Sequence, residues 1–167
     1  MEEIKTDSIC PNCGNYLYYI ENTTEIAYEG KITIHTFHCK SCYYKNIIID
    51  RHDREKPKII KLRVTNKNDL KAIVYRSPEA YIIIPELDAE IAPGIASNGY
   101  ITTVEGIIVS IKDKLSLMGT GEEINYLRQR IDGILSGTEE KITIIIDDDS
   151  GKSKINSSKV EVIEKSK

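Results

Sequence analysis

The chain has 167 residues, 40% hydrophobic and 29% charged, with a formal net charge of −3. That length suits one core domain with a small metal module beside it, and the acidic balance argues against a free-standing nucleic-acid binder, which is more often basic. No apolar run approaches the roughly 18 residues of a membrane helix and Met1–Ser8 is charged, so neither a membrane span nor a signal peptide is predicted and the cytoplasm is the expected compartment.

Residues 1–8 read as a polar lead. All four cysteines then fall between Cys10 and Cys42, as Cys10-Pro11-Asn12-Cys13 and Cys39-Lys40-Ser41-Cys42, with residues 14–38 between the pairs. Each pair bends two thiolates toward one point, and four thiolates complete the closed tetrahedral shell of one structural zinc ion. The interval is longer than the roughly 15–20 residues of a short ribbon, but a hairpin spans it. Two disulfides or a redox Cys-x-x-Cys are the alternatives. Neither accounts for the shared spacing with no cysteine left over. A segment this short also lacks the length for a self-sufficient core, so a metal brace is expected. Gly14 suits a knuckle position with positive φ, whereas Tyr43 follows the second pair and is strained there if the same turn is used.

With no tryptophan, one phenylalanine and an isoleucine-rich apolar set, the remaining core is predicted to be built from strands. Tyr16–Ile20 reads as a strand, Glu21–Thr24 as a turn, and Ile32–His38 as a period-2 strand running into Cys39. Tyr44–Ile49 is another strand. Asp50–Lys56 is charge-dense and Pro57 closes it, which sets the expected division into a zinc-ribbon module, 1–56, and a β domain, 57–167. Neither part is basic: the first has 7 Lys+Arg against 9 Asp+Glu, the second 16 against 17. Beyond Pro57, strands are predicted over Lys58–Val64, Ala80–Pro85, Leu87–Ile91 and Tyr100–Glu105. Asp69–Tyr75 is ambiguous, with Asn68 or Asp69 placed to cap a short turn. Around Gly106 the period changes to helical: Ile107, Ile108, Ile111 and Leu115, then Ile124, Leu127, Ile131 and Leu135 up to Gly137, a helical hairpin over about 107–136. Lys141–Asp147 is the clearest strand, and a weak one lies around Val160–Ile163.

Other candidate sites have bland readings beside them. His38 adjoins Cys39, but four cysteines already fill a shell. Gly151-Lys152-Ser153 mimics the end of a phosphate-binding loop, yet the glycine five positions earlier is Ile146, and three aspartates intervene. Asp147, Asp148 and Asp149 could bind a hard cation, but adjacent strand-end residues point different ways, so they read as a solvated acidic loop or as an acidic contact for a basic partner. The tyrosines beside the knuckles (Tyr16, Tyr18, Tyr19, Tyr43, Tyr44) either pack over the metal or stack on single-stranded nucleic acid.

The Cys-Pro-x-Cys-Gly knuckle, the Gly30–Cys42 segment, Ala80–Leu87, Ile91-Ala92-Pro93-Gly94, Ile101–Gly106, and Ile144–Asp148 followed by Gly151 and Ser153 together resemble the ZPR-type zinc-finger protein family, in its short archaeal single-module form. The resemblance implies a mostly β (α+β) protein: an N-terminal zinc ribbon followed by a β domain resembling a double-stranded β-helix with an inserted helical hairpin. It implies a non-catalytic zinc-binding adaptor or folding factor, with translation elongation factor 1-alpha as partner or client. The segments most specific to the family place the expected partner contacts at Glu86, Glu105, Asp147, Asp148 and Ser153. The alternative is a nucleic-acid-binding zinc ribbon acting in transcription or translation.

Overall fold

Strands absorb most of the β-branched residues, in two units, Met1–Arg54 and Glu55–Lys167; the computed structural model describes residues 2–95, 97–119, 121–137 and 141–166.

The first unit is a four-stranded antiparallel meander: β1 (Glu3–Ile9), β2 (Tyr16–Ile26), β3 (Gly30–His38) and β4 (Lys45–Arg51), in that order. Two expectations are corrected here. The polar lead is a strand, β1, with Ile4 opposite Tyr19, Lys5 opposite Tyr18 and Ile9 opposite Tyr16. Six of its seven residues are exposed, so backbone pairing rather than burial holds it, and it carries no apolar alternation to read. The turn expected at Glu21–Thr24 is also strand. β2 runs on to Ile26, and the chain reverses over Ala27–Glu29, where Tyr28 takes φ 68°. Thr23 and Thr33 face each other with hydroxyls 2.9 Å apart, a cross-strand pair that suits the pleat as well as an apolar one.

The second unit opens with β5 (Lys58–Val64). Asn66 then caps a short helix, α1 (Lys67–Leu70), accepting from the N–H groups of Asn68 and Asp69. The cap is therefore Asn66 rather than Asn68 or Asp69. β6 (Ile73–Arg76) and β7 (Tyr81–Ile84) follow. Pro85, which has no N–H to leave unpaired, starts a 3-10 turn that ends at Leu87, and β8 (Ala89–Ile91) comes next. β9 is only Tyr100–Thr103, because Thr103 accepts from the Gly106 N–H at 3.1 Å and so caps α2 (Val104–Leu117) three residues before the expected start. α3 (Glu122–Ser136) completes the hairpin and ends at Gly137. β10 (Ile142–Asp148), a two-residue β11 (Lys154–Ile155) and β12 (Glu161–Glu164) close the chain.

All pairings are antiparallel, in a five-stranded sheet ordered β12-β5-β10-β7-β8 and a three-stranded sheet ordered β11-β6-β9. Their inward residues meet the hairpin in one core, in which Ile82, Ile84, Ile108, Ile131, Ile142 and Ile144 are fully buried. The fold is thus mostly β, with a helical hairpin inserted between β9 and β10. The central strand β10 alternates strictly: Ile142, Ile144 and Ile146 point inward, and the same parity carries Asp148 inward behind them.

Candidate metal centre and the acidic turn

The first Cys-x-x-Cys joins β1 to β2 and the second joins β3 to β4, so the meander brings both to one end of the sheet. The two knuckles repeat one hydrogen-bond pattern. Cys10 N–H donates to Asn15 O (2.7 Å) and Gly14 N–H to Cys10 O (3.0 Å). Cys39 N–H donates to Tyr44 O (2.8 Å) and Tyr43 N–H to Cys39 O (3.0 Å). Gly14 and Tyr43 occupy the same left-handed position, φ 75° and 60°. The strain expected at Tyr43 is therefore present, and the ring earns nothing back by burial, being 87% exposed. Tyr43→Gly is expected to stabilise the first unit by about 1 kcal/mol and to slow metal removal by a chelator about fivefold. A faster loss of metal would instead assign the ring a packing role.

All four cysteines are free, and their Sγ atoms lie within 4.8 Å of one another, with Cys10–Cys42 at 3.6 Å and Cys13–Cys39 at 3.4 Å. Tetrahedral zinc with Zn–S bonds of about 2.3 Å needs sulfur–sulfur edges of about 3.8 Å, so the donor set fits a thiolate-preferring tetrahedral ion. Cys10 and Cys39 are buried, and Leu17, Phe37 and Tyr44 pack around them. The Asn12 side chain and the Tyr44 N–H hold the Cys42 thiol down at about 6. The Cys42 and Ser41 N–H groups lower Cys39. At Cys13 the Asn15 N–H pulls downward, but the sulfurs of Cys39 and Cys42 win and push it up to about 11. Protons are thus shared unevenly in the thiol cluster, and an arriving cation displaces those that remain.

No histidine joins this set. His38 Nε2 bonds Glu3 Oε1 (2.8 Å), His35 lies between Tyr19 OH (2.7 Å) and Asp50 (3.0 Å), and His52 Nε2 meets Thr33 Oγ1 (2.7 Å). The tyrosines divide. Tyr44 packs on the cysteines, Tyr19 packs on Phe37, and Tyr18 carries Lys40 over its ring at 4.0 Å, whereas Tyr43 stands in solvent.

The acidic turn has a different character from the one expected. Asp148 and Ser153 are completely buried. Asp148 Oδ1 accepts from Ser77 Oγ (2.9 Å), Ser150 N (2.8 Å) and Ser150 Oγ (2.7 Å), and Oδ2 accepts from Ser153 N (2.6 Å). Ser153 Oγ in turn accepts from Ser77 N (2.9 Å). The backbone donors that a phosphate-binding loop would offer to a ligand are here wrapped around the chain's own carboxylate. Burial raises the Asp148 pKa, but the bonds from Ser153 and Ser150 outweigh it and hold the group below the ordinary carboxylate range. Gly151 makes the turn possible: it has φ 72°, and a Cβ there would lie 2.2 Å from Lys56 O. Asp148 and Ser153 therefore form an internal clasp and present no contact surface, which corrects their expected role.

Glu86 is half-buried, and both its oxygens are engaged by Thr143, through the N–H (2.9 Å) and the hydroxyl (2.8 Å). It extends the β10 ladder past the end of β7, whose pairing with β10 begins at Ile83–Ile145. Asp147 faces the opposite way from Asp148 and pairs with Lys165, which also holds Asp149. Glu105 is exposed in the first turn of α2, where its charge suits the helix dipole. Period-2 parity along β10 is the signal that separates Asp148 from its two neighbours. Nothing in the sequence pattern marks Ser77 as its partner 71 residues away.

Residues 68–166 match the model of the ZPR1 jelly-roll domain. Over 147 residues the chain is 31% identical to a ZPR1-like protein of Methanocaldococcus jannaschii, covering 83% of this chain and 74% of that one. It is 29% identical to a ZPR1-like protein of Pyrococcus horikoshii, over 95% of this chain and 79% of that one. The zinc finger chaperone zpr1 of Schizosaccharomyces pombe is 30% identical over 89% of this chain, which spans only 34% of the yeast protein.

Proposed function

The chain belongs to the ZPR1 family, and from that premise we propose that it is a non-catalytic, zinc-braced adaptor or folding factor whose client is translation elongation factor 1-alpha. The observation that carries this reading is the four-thiol shell. Its protein donors fill every position of a tetrahedral ion, so the metal braces a sheet and is not needed to activate water. The name of the yeast relative, a chaperone, supports the same role.

Of the expected client contacts, Glu86, Glu105 and Asp147 remain as proposed ones: Glu105 is exposed, and Glu86 and Asp147 are half-buried. The test is recovery of elongation factor 1-alpha from cell extract on immobilised, zinc-loaded protein at moderate salt. Glu105→Lys is expected to weaken capture without moving the melting temperature. Repeated failure of the wild type to retain the factor would remove it as the client.

One observation favours the second reading: Tyr43 stands exposed in a pocket it shares with Lys40 and Lys45. A salt titration against single-stranded RNA separates the two, since phosphate contacts give a steep slope. The adaptor reading expects no binding at low salt.

A further inference from the structure

The five-stranded sheet ends at β8, and among the described residues no strand pairs with its far side. Among the described residues, Ala89, Glu90 and Ile91 make backbone pairs only with β7. An edge with unpaired N–H and C=O groups is a template for another extended chain; this one is three residues long, and the Glu90 charge on it discourages a second apolar strand while favouring one with basic side chains. Here the edge opens onto a groove of about 400 Å³ between β8 and the helical hairpin. Ile91 borders it on the strand side, with Leu115, Met118 and Leu127 on the hairpin side. The apolar surface continues past the groove, since Leu117 and Met118 are 88% and 71% exposed at the end of α2. Methionine is the side chain best able to adapt to varied apolar partners. The rim is acidic on the strand side, where Asp88 and Glu90 are exposed, and Lys114 is the one cation among the described lining residues.

We propose that this groove binds an extended segment of a client polypeptide, which adds to the free edge of β8 as a further strand. A bare edge selects an extended backbone over a helix or a compact ligand. Alternation along that strand then sends every second side chain to the face of Ala89 and Ile91, into the apolar groove, and the others past Glu90. The segment that fits therefore alternates apolar with basic residues. Such a segment is exposed when a client is incompletely folded and hidden once its own sheet has closed. The inference deepens the folding-factor reading and rests on it for the word client, but the binding it describes is measured without the elongation factor and fails separately.

The experiment uses the full zinc-loaded chain and three short fluorescent peptides: one alternating isoleucine with lysine, the same peptide with alternate amides N-methylated, and one alternating isoleucine with glutamate. Fluorescence anisotropy reports affinity, and amide hydrogen exchange reports where the peptide sits. The isoleucine–lysine peptide is expected to bind and to slow exchange at Ala89–Ile91. N-methylation removes the backbone donors but keeps the side chains, and is expected to weaken binding about tenfold or more, as is the change to glutamate. Leu115→Arg places a charge in the groove and is expected to cost a similar factor. Glu90→Lys, at an exposed position that spares the core, is expected to abolish the preference for lysine over glutamate. Failure of the isoleucine–lysine peptide to bind, or equal binding of the N-methylated peptide, overturns the proposal. So does self-association of the chain that Glu90→Lys abolishes, which would assign the edge to a second copy.

Discussion

Replacing Cys39 by serine is expected to empty the metal centre and unfold the first unit while the second stays folded. The reason is how little else holds the first unit. Its apolar cluster consists of Cys10, Leu17 and Cys39, with Phe37, Cys42 and Tyr44 packed against it, so half of that core is the thiol cluster itself. Ile4, Ile47 and Ile48 stay about half exposed and add little. Structural zinc contributes roughly 10–16 kcal/mol of apparent binding energy, more than a small sheet gains from burial. The second unit has its own continuous isoleucine core, with no cysteine in it. Metal analysis should fall from one zinc per chain to none. Amide resonances of residues 2–54 should collapse to unfolded positions while those of β5, β7 and β10 hold theirs. A variant that still binds one zinc, or that keeps a dispersed first unit without metal, would sink the account. Acid should act in the same direction on the wild type, because the ligands must lose their protons to bind the ion.

The clustering of the four cysteines was almost fully legible in the sequence, because a Cys-x-x-Cys pair is a local constraint that needs no knowledge of the fold. The hairpin was legible for a similar reason, since Ile107, Ile108, Ile111 and Leu115 repeat at helical spacing over two turns. What escaped was structure held by backbone or polar pairing. β1 is a strand with almost nothing buried, and Thr23 and Thr24 look like a turn until Thr33 and Ile32 are placed opposite them. The start of α2 was missed because Thr103, a strand-like residue, serves as the helix cap. The resemblance marked Asp148 and Ser153 as partner contacts, and the fold buries both completely. A residue that distinguishes a family by holding its fold together looks, in a string of letters, like one that meets a partner. Burial separates the two cases, and burial depends on long-range partners such as Ser77 and Thr143.

Asp148 is where that distinction has the largest measurable consequence. Asp148→Ala is expected to destabilise the second unit by about 3–5 kcal/mol, since the buried N–H groups of Ser150 and Ser153 and the Ser77 hydroxyl lose their acceptor together. That corresponds to a melting temperature lowered by on the order of 10–20 °C for a domain this size. Asp148→Asn keeps the shape but turns one acceptor into a donor facing donors, and should cost roughly half as much. The pH dependence gives an independent check. The carboxylate is held below its ordinary value in the folded chain, so the clasp contributes in full above the unfolded pKa of about 3.9 and is lost as pH falls through the folded pKa. Amide exchange at Ile142–Ile146 should accordingly show an acid limb below about pH 4 in the wild type, flattened in Asp148→Asn. If Asp148 were instead a contact for a partner, the alanine variant would melt with the wild type and lose only capture of the client. Ser77→Ala distinguishes the two further. It lies in a different loop, shares no surface role, and removes one donor to the same oxygen. Combined with Asp148→Ala it should add little, because the bond it deletes is already gone.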